Sequence, residues 1–153
     1  MRIRLIVVDK LRARYVAEAC AEFRKRLAPY YPYEEVEVRA GHGSDPQTAM
    51  RDEAARILPL LRADERVWLL ERSGTQLSSE ELAQKLQSVA HDGIARLTFV
   101  VGGTYGVDAS LLARADFLWS LSDLTFLHEW ARMIVLEQLY RAAKIVRNEP
   151  YHH

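Results

Sequence analysis

The sequence has one cysteine, no net charge and no long hydrophobic run. Because Cys20 stands alone among 153 residues, neither an intramolecular disulfide nor a cysteine-based zinc cluster is possible. Lysine plus arginine equals aspartate plus glutamate at 21 each, which argues against a protein that coats nucleic acid through bulk charge. Arg2 and Arg4 interrupt the start of the chain, so we expect no signal peptide, no membrane span and a cytoplasmic location.

The apolar pattern predicts the fold. With 49% hydrophobic residues, the chain suits one globular domain over residues 1–153. Short β-branched runs predict strands, and stretches with helical periodicity lie between them. Strands are expected at residues 3–8, 35–39, 67–70, 97–101 and near 116–120, and helices at 11–27, 46–61, 79–93 and 129–147. This alternation predicts an α/β domain with a mostly parallel sheet of five to six strands and helices on both faces.

Local signals support several of these elements. Asp45 before Pro46 is typical of a helix start, and Ser78 with Glu81 forms the pattern of a capping box. The strictly alternating strand at residues 35–39 is predicted to lie near an edge of the sheet. Cys20 falls on the apolar stripe of the first helix, which favours an inert core thiol over a nucleophile.

Three strand exits are candidates for a ligand site, because ligands of open α/β sheets bind at the carboxyl ends of strands. Residues 71–74 follow the third strand, Gly102 and Gly103 follow the fourth, and a hydroxyl-rich loop at residues 120–127 follows the fifth. Two glycines let a backbone approach a ligand closely, although they also make tight turns. The spacing lacks a dinucleotide fingerprint and no Walker lysine follows, so NAD and ATP are disfavoured.

The last helix is apolar on more than one face, and the short tail after it is polar. We therefore predict that one face packs on the sheet and another on a second subunit, giving a homodimer. After Pro150, the tail offers the phenol of Tyr151 and the imidazoles of His152 and His153.

The other histidines and the first tyrosines give weaker signals. His128 is either a site residue or a hydrogen bonder at a helix start, and His91 is interpreted as a capping or solvent residue. His42 has no partner at metal-ligand spacing and is interpreted as a mobile surface residue, and no metal is expected. The aromatic turn at residues 30–33 is interpreted as a plug over the sheet rather than a platform for stacking bases.

In these motifs the chain resembles the ribosomal large subunit methyltransferase H family, small knotted enzymes of the SPOUT class. The resemblance covers essentially the whole chain. The matching segments are Gly102-Gly103-Thr104-Tyr105-Gly106, Ser120-Leu121-Ser122 with Thr125 and His128, Glu137-Gln138-Leu139-Tyr140-Arg141-Ala142, and Pro150-Tyr151-His152. The resemblance implies a trefoil knot near the C-terminus and S-adenosylmethionine-dependent methylation of N3 of a pseudouridine in large-subunit (23S) ribosomal RNA, on assembled ribosomes.

The resemblance also implies which residues serve that reaction. An imide N3 must lose its proton before it attacks, so His128, Tyr151 and His152 are the catalytic candidates. The implied cofactor-binding residues are Leu70, Glu71, Gly74, Gly102, Gly103, Ser122, Asp123, Leu124, Thr125, Phe126 and Leu127. With zero net charge, RNA affinity must come from local groups, and the candidates are Arg132, Arg141, Lys144, Arg147 and His153.

Three positions depart from the pattern of that family. Glu129 stands where a proline usually follows the loop histidine, His153 where a lysine or arginine usually follows Tyr-His, and Glu71 where an aspartate is usual. Because a fold does not fix a function, the alternative is a dimeric nucleotide-binding or regulatory α/β protein that transfers no methyl group.

Overall fold

The fold is built on five parallel strands. The structure, a computed structural model, describes residues 1–151. Its strands are β1 (Arg2–Val8), β2 (Tyr33–Val38), β3 (Arg66–Gln76), β4 (Arg96–Val101) and β5 (Phe117–Ser120). Its helices are α1 (Arg14–Leu27), α2 (Pro46–Ile57), α3 (Ser79–His91), α4 (Ala109–Arg114) and α5 (His128–Val146). The strand order is β2-β1-β4-β3-β5, and every neighbouring pair is parallel.

Alternate side chains of the strands pack into two apolar layers, one on each face of the sheet. Leu5 and Phe99 face a core that is closed by α1, α3 and α5. Ile6 and Val100 face a second core, closed by α2 and α4. The predictions of an α/β fold, a parallel sheet and helices on both faces are therefore confirmed, with five strands and β2 at an edge. The knot that the resemblance implies stays a prediction.

The helix ends follow local chemistry. The Asp45 side chain accepts from the backbone N–H of Thr48, and Ser78 and Glu81 complete the capping box. The second helix is shorter than predicted because Pro59 lacks the N–H that would continue it, and a 3-10 turn, Leu58–Leu60, replaces its end. The sequence pattern missed α4, which has only six residues. None of the helices among residues 1–151 is both long and apolar enough to span a membrane.

The third strand is longer than predicted, and residues 71–74 form a bulge rather than a simple exit loop. Leu70 and Thr75 both pair with Trp119 of β5, so the four residues between them leave the ladder. A Cβ at Gly74 would lie 2.4 Å from the backbone oxygen of Leu118. Gly74 therefore allows the close approach of β3 and β5, and its predicted contact with a cofactor is not supported by this position.

The last helix lies between α1 and α3 on one face of the sheet. Its residues Val135, Leu136 and Leu139 are fully buried within the protomer. Much of the apolar surface that the sequence assigned to a second subunit is thus covered by the chain itself. Near the start of α5, Leu127 and Trp130 are exposed, as is Tyr15 on α1. The hydroxyl of Tyr15 accepts a hydrogen bond from the indole N–H of Trp130 at 2.9 Å.

Replacing Ser78 with alanine removes one half of the capping box of α3. We expect Ser78→Ala to lower the free energy of unfolding by about 1 kcal/mol, because the Glu81 backbone N–H loses its acceptor. Denaturant unfolding measures this change. Ser88→Ala, at an exposed position of the same helix, is the control and should stay within about 0.5 kcal/mol of the wild type. Equal effects of the two changes would contradict a capping role.

Candidate active site

A cleft of about 640 Å³ opens at the carboxyl ends of β4, β3 and β5, which are neighbours in the sheet. Parallel strands bring their carboxyl ends to one edge, so the three predicted strand exits meet there. Eight of the predicted cofactor residues line the cleft, namely Leu70, Glu71, Gly103, Ser122, Leu124, Thr125, Phe126 and Leu127, together with His128. Arg72 and Leu121, which lie in the predicted strand exits, also line the cleft, and the lining residues not predicted from the sequence are Val101, Thr104, Tyr105, Gly106, Trp119 and Ala131.

The walls of the cleft are mostly apolar, with a few polar groups between them. Leu70, Leu121 and Phe126 supply apolar surface, and Leu124 at its rim is 71% exposed. The guanidinium of Arg72 lies 3.5 Å from the hydroxyl of Thr125, which links the bulge to the loop after β5. An apolar cleft of this size with few polar groups is typical of a small-molecule site.

The turn after β4, residues 102–106, forms one wall and is called the glycine turn here. The backbone N–H of Gly106 donates to the oxygen of Gly103 at 3.1 Å, and Gly106 has a φ of 96°, which favours glycine. A Cβ at Gly102 would lie 2.5 Å from the Val107 side chain, so Gly102 serves the tight turn and does not line the cleft.

Gly103 lines the cleft, but its missing side chain would point away from a ligand. A Cβ there would lie 2.3 Å and 2.7 Å from the two carboxylate oxygens of Glu53, a buried residue of α2. The two glycines at this strand exit were predicted to let the backbone approach a ligand closely. The structure gives a different physical reason for a glycine, which is the Glu53 carboxylate behind the turn.

The loop after β5, residues 120–127, is called the serine loop here, and its hydroxyls shape its own backbone. The Ser120 hydroxyl donates to the oxygen of Ser122 at 3.2 Å. The Ser122 hydroxyl accepts from the backbone N–H of Leu124 at 3.0 Å. Asp123 is exposed and does not line the cleft, so its predicted cofactor contact is not supported by the geometry.

His128 begins α5 at the mouth of the cleft. Its Nε2 lies 2.7 Å from the backbone oxygen of Val8 at the end of β1. Since a carbonyl oxygen only accepts, Nε2 carries the hydrogen, and in the neutral ring Nδ1 keeps a lone pair. Asp9 is next in the chain, with a φ of 69° that is uncommon for a residue other than glycine. A hydrogen bond from the Lys10 N–H, with the nearby charges of Arg12 and His128, holds the pKa of Asp9 below its usual value.

Glu129, which replaces the usual proline, joins two helix starts. Its carboxylate accepts from the backbone N–H groups of Arg12 and Ala13 just before α1, the latter at 3.2 Å. A carboxylate near helix N-termini is electrostatically favourable. The Glu129 side chain therefore fixes the start of α5, where the serine loop ends, to the start of α1.

Tyr151 does not reach His128 of its own protomer. The Tyr151 hydroxyl donates to the Glu137 carboxylate at 3.1 Å, and its ring lies 4.7 Å from that of Tyr140. Glu137 is nine residues along α5 from His128, or about 14 Å at the usual rise of a helix. Burial and the Glu137 carboxylate raise the pKa of Tyr151, so the phenol stays protonated at neutral pH. His152 and His153, predicted for catalysis and RNA binding, lie outside the described residues.

The predicted RNA-binding cations differ in their surroundings. Arg132 is buried, and its guanidinium forms ion pairs with Glu35 and Glu37 of the edge strand β2. Burial lowers the pKa of Arg132. These ion pairs give Arg132 a structural role at the sheet edge, which helix periodicity alone did not show, and its binding to RNA stays a prediction.

The other three cations lie at the C-terminal end of α5. Arg141 pairs with Glu137 at 2.5 Å and lies over the Tyr151 ring, while Lys144 pairs with Glu149 at 2.6 Å. Arg147 is exposed, 4.8 Å from the centre of the Tyr30 ring. The aromatic turn at residues 30–33 packs against this end of the core, as the plug interpretation predicted. Within residues 1–151, no group of three or more histidines, cysteines or carboxylates is arranged to hold a metal.

The parallel sheet with its cleft at three strand exits defines an α/β protein with a candidate small-molecule site, and comparison with known families gives its class. The model of a family described as "Predicted SPOUT methyltransferase" matches residues 1–152. Proteins named ribosomal RNA large subunit methyltransferase H are also similar over their full length. That of Gloeobacter violaceus is 43% identical, with 100% of this chain and 99% of the relative covered.

Two further relatives carry the same name. That of Acetivibrio thermocellus is 42% identical, and that of Stenotrophomonas maltophilia is 41% identical, each alignment covering 99% of both chains. At such identity over the whole length, the chain belongs to the ribosomal RNA large subunit methyltransferase H family of SPOUT methyltransferases.

Proposed function

We propose that this protein transfers a methyl group from S-adenosylmethionine to N3 of a pseudouridine in large-subunit ribosomal RNA, acting on assembled ribosomes in the cytoplasm. The observation that carries the proposal is the cleft, in which three adjacent strand exits meet the imidazole of His128. The names of the relatives support ribosomal RNA as the class of substrate.

The residues of the cleft fit such a cofactor. Leu70, Leu121 and Phe126 offer apolar surface for a flat base, and the glycine turn offers backbone at close range. The Glu71 carboxylate, which accepts from the Ser73 hydroxyl at 3.1 Å, places negative charge where a cationic ligand is favoured. When bound, the cofactor supplies a methyl group that is already activated as an electrophile.

The protein must then orient the nucleotide and accept its N3 proton. His128 suits this role because its Nε2 is fixed by the Val8 oxygen and Nδ1 is left as the basic atom. The serine loop and Ala131 of α5 line the same cleft, so a nucleotide base held there would lie beside the imidazole ring of His128.

A homodimer completes the proposal. Leu127 and Trp130 expose apolar surface beside the cleft, next to Tyr15 of α1. Exposed apolar residues grouped in this way favour an interface. Tyr151 contacts α5 at Glu137, far from His128 of its own chain, so the tail would serve the cleft of the partner. Arg141, Lys144 and Arg147, which lie near Tyr151, would bring positive charge to the RNA there.

The role of His128 is tested by a change that keeps its structural bond. The amide nitrogen of glutamine can donate to the Val8 oxygen as Nε2 does, but it is not a base. We expect His128→Gln to keep its fold and its affinity for S-adenosylmethionine, while methyl transfer to ribosomes that lack the modification falls about 100-fold or more. Calorimetry and a transfer assay measure the two quantities.

Two outcomes would change the assignment. If His128→Gln transferred methyl groups at the wild-type rate, the hydrogen bond to Val8 would be the only role left for this histidine. A wild-type protein that binds no S-adenosylmethionine and transfers no methyl group would instead favour the non-catalytic alternative. His128→Asn, which is too short to reach the Val8 oxygen, is the control for loss of the structural bond.

The dimer is tested by placing charge on the exposed apolar surface. We expect Trp130→Glu, and likewise Ile134→Glu one turn later, to give monomers without transfer activity, because a carboxylate would be buried in the interface. Leu112→Glu is the matched control, since Leu112 on α4 and Trp130 are both 37% exposed. Leu136 is fully buried in the protomer, so a charge there would unfold the core instead. Sedimentation that shows a monomeric wild type would contradict the proposal.

The tail is tested by removing His152 and His153. We expect methyl transfer to ribosomes to fall about 100-fold, while cofactor affinity and dimerisation stay unchanged. Tyr151 is kept in this variant because its ring packs on Tyr140, so its removal would also cost structure. Tyr151→Phe serves as a separate variant that loses only the bond to Glu137. Full activity without the two histidines would show that the cleft is complete without them.

A further inference from the structure

A carboxylate lies on the buried stripe of α2. Glu53 is 5% exposed and follows Ala49 and precedes Ile57 by four residues each, so the three share one helix face. Burial raises the pKa of Glu53, against the opposing effects of a hydrogen bond from the Gly41 N–H and of the His128 and Arg56 charges. Within residues 1–151, no arginine or lysine forms an ion pair with it.

The side chain lies behind the cleft rather than in it. Both of its oxygens face the Gly103 hydrogen that takes the place of a Cβ, as the 2.3 Å and 2.7 Å distances from an added Cβ indicate. Gly103 also supplies the oxygen that closes the glycine turn through the Gly106 N–H. The Glu53 carboxylate therefore supports the turn on the side opposite the ligand space.

Neighbouring residues of α2 contact the loop after β2, and Glu53 also contacts the glycine turn. Arg56 donates to the backbone oxygens of Arg39 and Ala40 at 3.1 Å and 3.3 Å, and Asp52 accepts from the His42 N–H at 3.5 Å. The Gly41 N–H of that same loop lies close enough to the Glu53 carboxylate to lower its pKa. This carboxylate thus joins the exits of β2 and β4.

We propose that Glu53 is a positioning residue, which holds the glycine turn in the conformation that lines the cleft. A buried carboxylate without a cationic partner costs free energy, so core stability alone is a poor reason for it at this position. An apolar side chain would fill the space without an acceptor for the Gly41 N–H. This inference rests on the proposed function, since it names a residue that shapes the site for the cofactor.

The first test needs no cofactor. In Glu53→Ala we expect the amide hydrogens of residues 103–106 to exchange about tenfold faster than in the wild type, because the turn loses its support. Glu53→Gln keeps an acceptor and nearly the same volume, so exchange should stay close to the wild-type rate. Asp52→Ala is the matched control, because Asp52 contacts the same loop after β2 and does not contact Gly103.

The second test uses S-adenosylmethionine itself as the probe. We expect Glu53→Ala to weaken its binding roughly tenfold, Glu53→Gln to restore most of the affinity, and Asp52→Ala to leave it unchanged. A merely structural role would lower the melting temperature of Glu53→Ala and Asp52→Ala without separating their affinities.

A double-mutant cycle tests whether Glu53 affects cofactor affinity through its contact with Gly103. Gly103→Ala places a methyl group against the carboxylate, so affinity should fall in that variant too. In Gly103→Ala combined with Glu53→Ala, the methyl group occupies space that the carboxylate has left, and the loss should be smaller than the product of the two single losses. Independent, multiplicative effects would overturn the proposal.

The remaining outcomes are also decisive. A folded Glu53→Ala with wild-type exchange in the turn and wild-type affinity would overturn the positioning role. If Glu53→Ala does not fold, Glu53→Gln and Gly103→Ala decide, and a Gly103→Ala variant with full affinity would reject the proposal. If the wild type binds no S-adenosylmethionine, the proposed function fails, while the exchange measurement still tests the contact between Glu53 and the turn.

Discussion

The parallel direction of all five strands is the constraint on which the rest of the structure depends. Each strand must be followed by a connection that returns to the opposite end of the sheet, so helices cover both faces and the carboxyl ends share one edge. Because β4, β3 and β5 are adjacent, their exits form a continuous wall around the cleft. The position of the site thus follows from strand direction, whereas its chemistry depends on a few side chains.

The last helix connects this edge to the rest of the molecule. At its start, His128 is bonded to the end of β1 and Glu129 to the start of α1. One turn later, buried Arg132 pairs with Glu35 and Glu37 of β2. These contacts fix the helix relative to the exposed edge strand, and charged side chains along an edge also discourage pairing with other chains. The arginine therefore has a structural role at this edge.

Local patterns were enough to predict most of the fold. The five strands, the Asp45 and Ser78 caps and the last helix follow from periodicity and capping chemistry, which act over a few residues. The positions of Gly74 and Arg132 could not be predicted in this way, because a bulge and the orientation of a helix depend on distant partners. Glu53 did leave a signal, since a carboxylate four residues from Ala49 and from Ile57 lies on an apolar stripe. The serine loop and the glycine turn were found because each follows a predicted strand, and the family resemblance then implied their role.

The bulge in β3 adds residues to the strand, and the strand goes on pairing with β5 beyond it. Leu70 and Thr75 pair with the same residue of β5, so the ladder continues on both sides as if residues 71–74 were absent. Glu71 and Arg72, which face the cleft, are carried on this excursion. Insertions or deletions within it would change the rim of the site without moving a core residue to the opposite face of the sheet. The rim of the cleft and the register of the sheet can therefore change independently of each other.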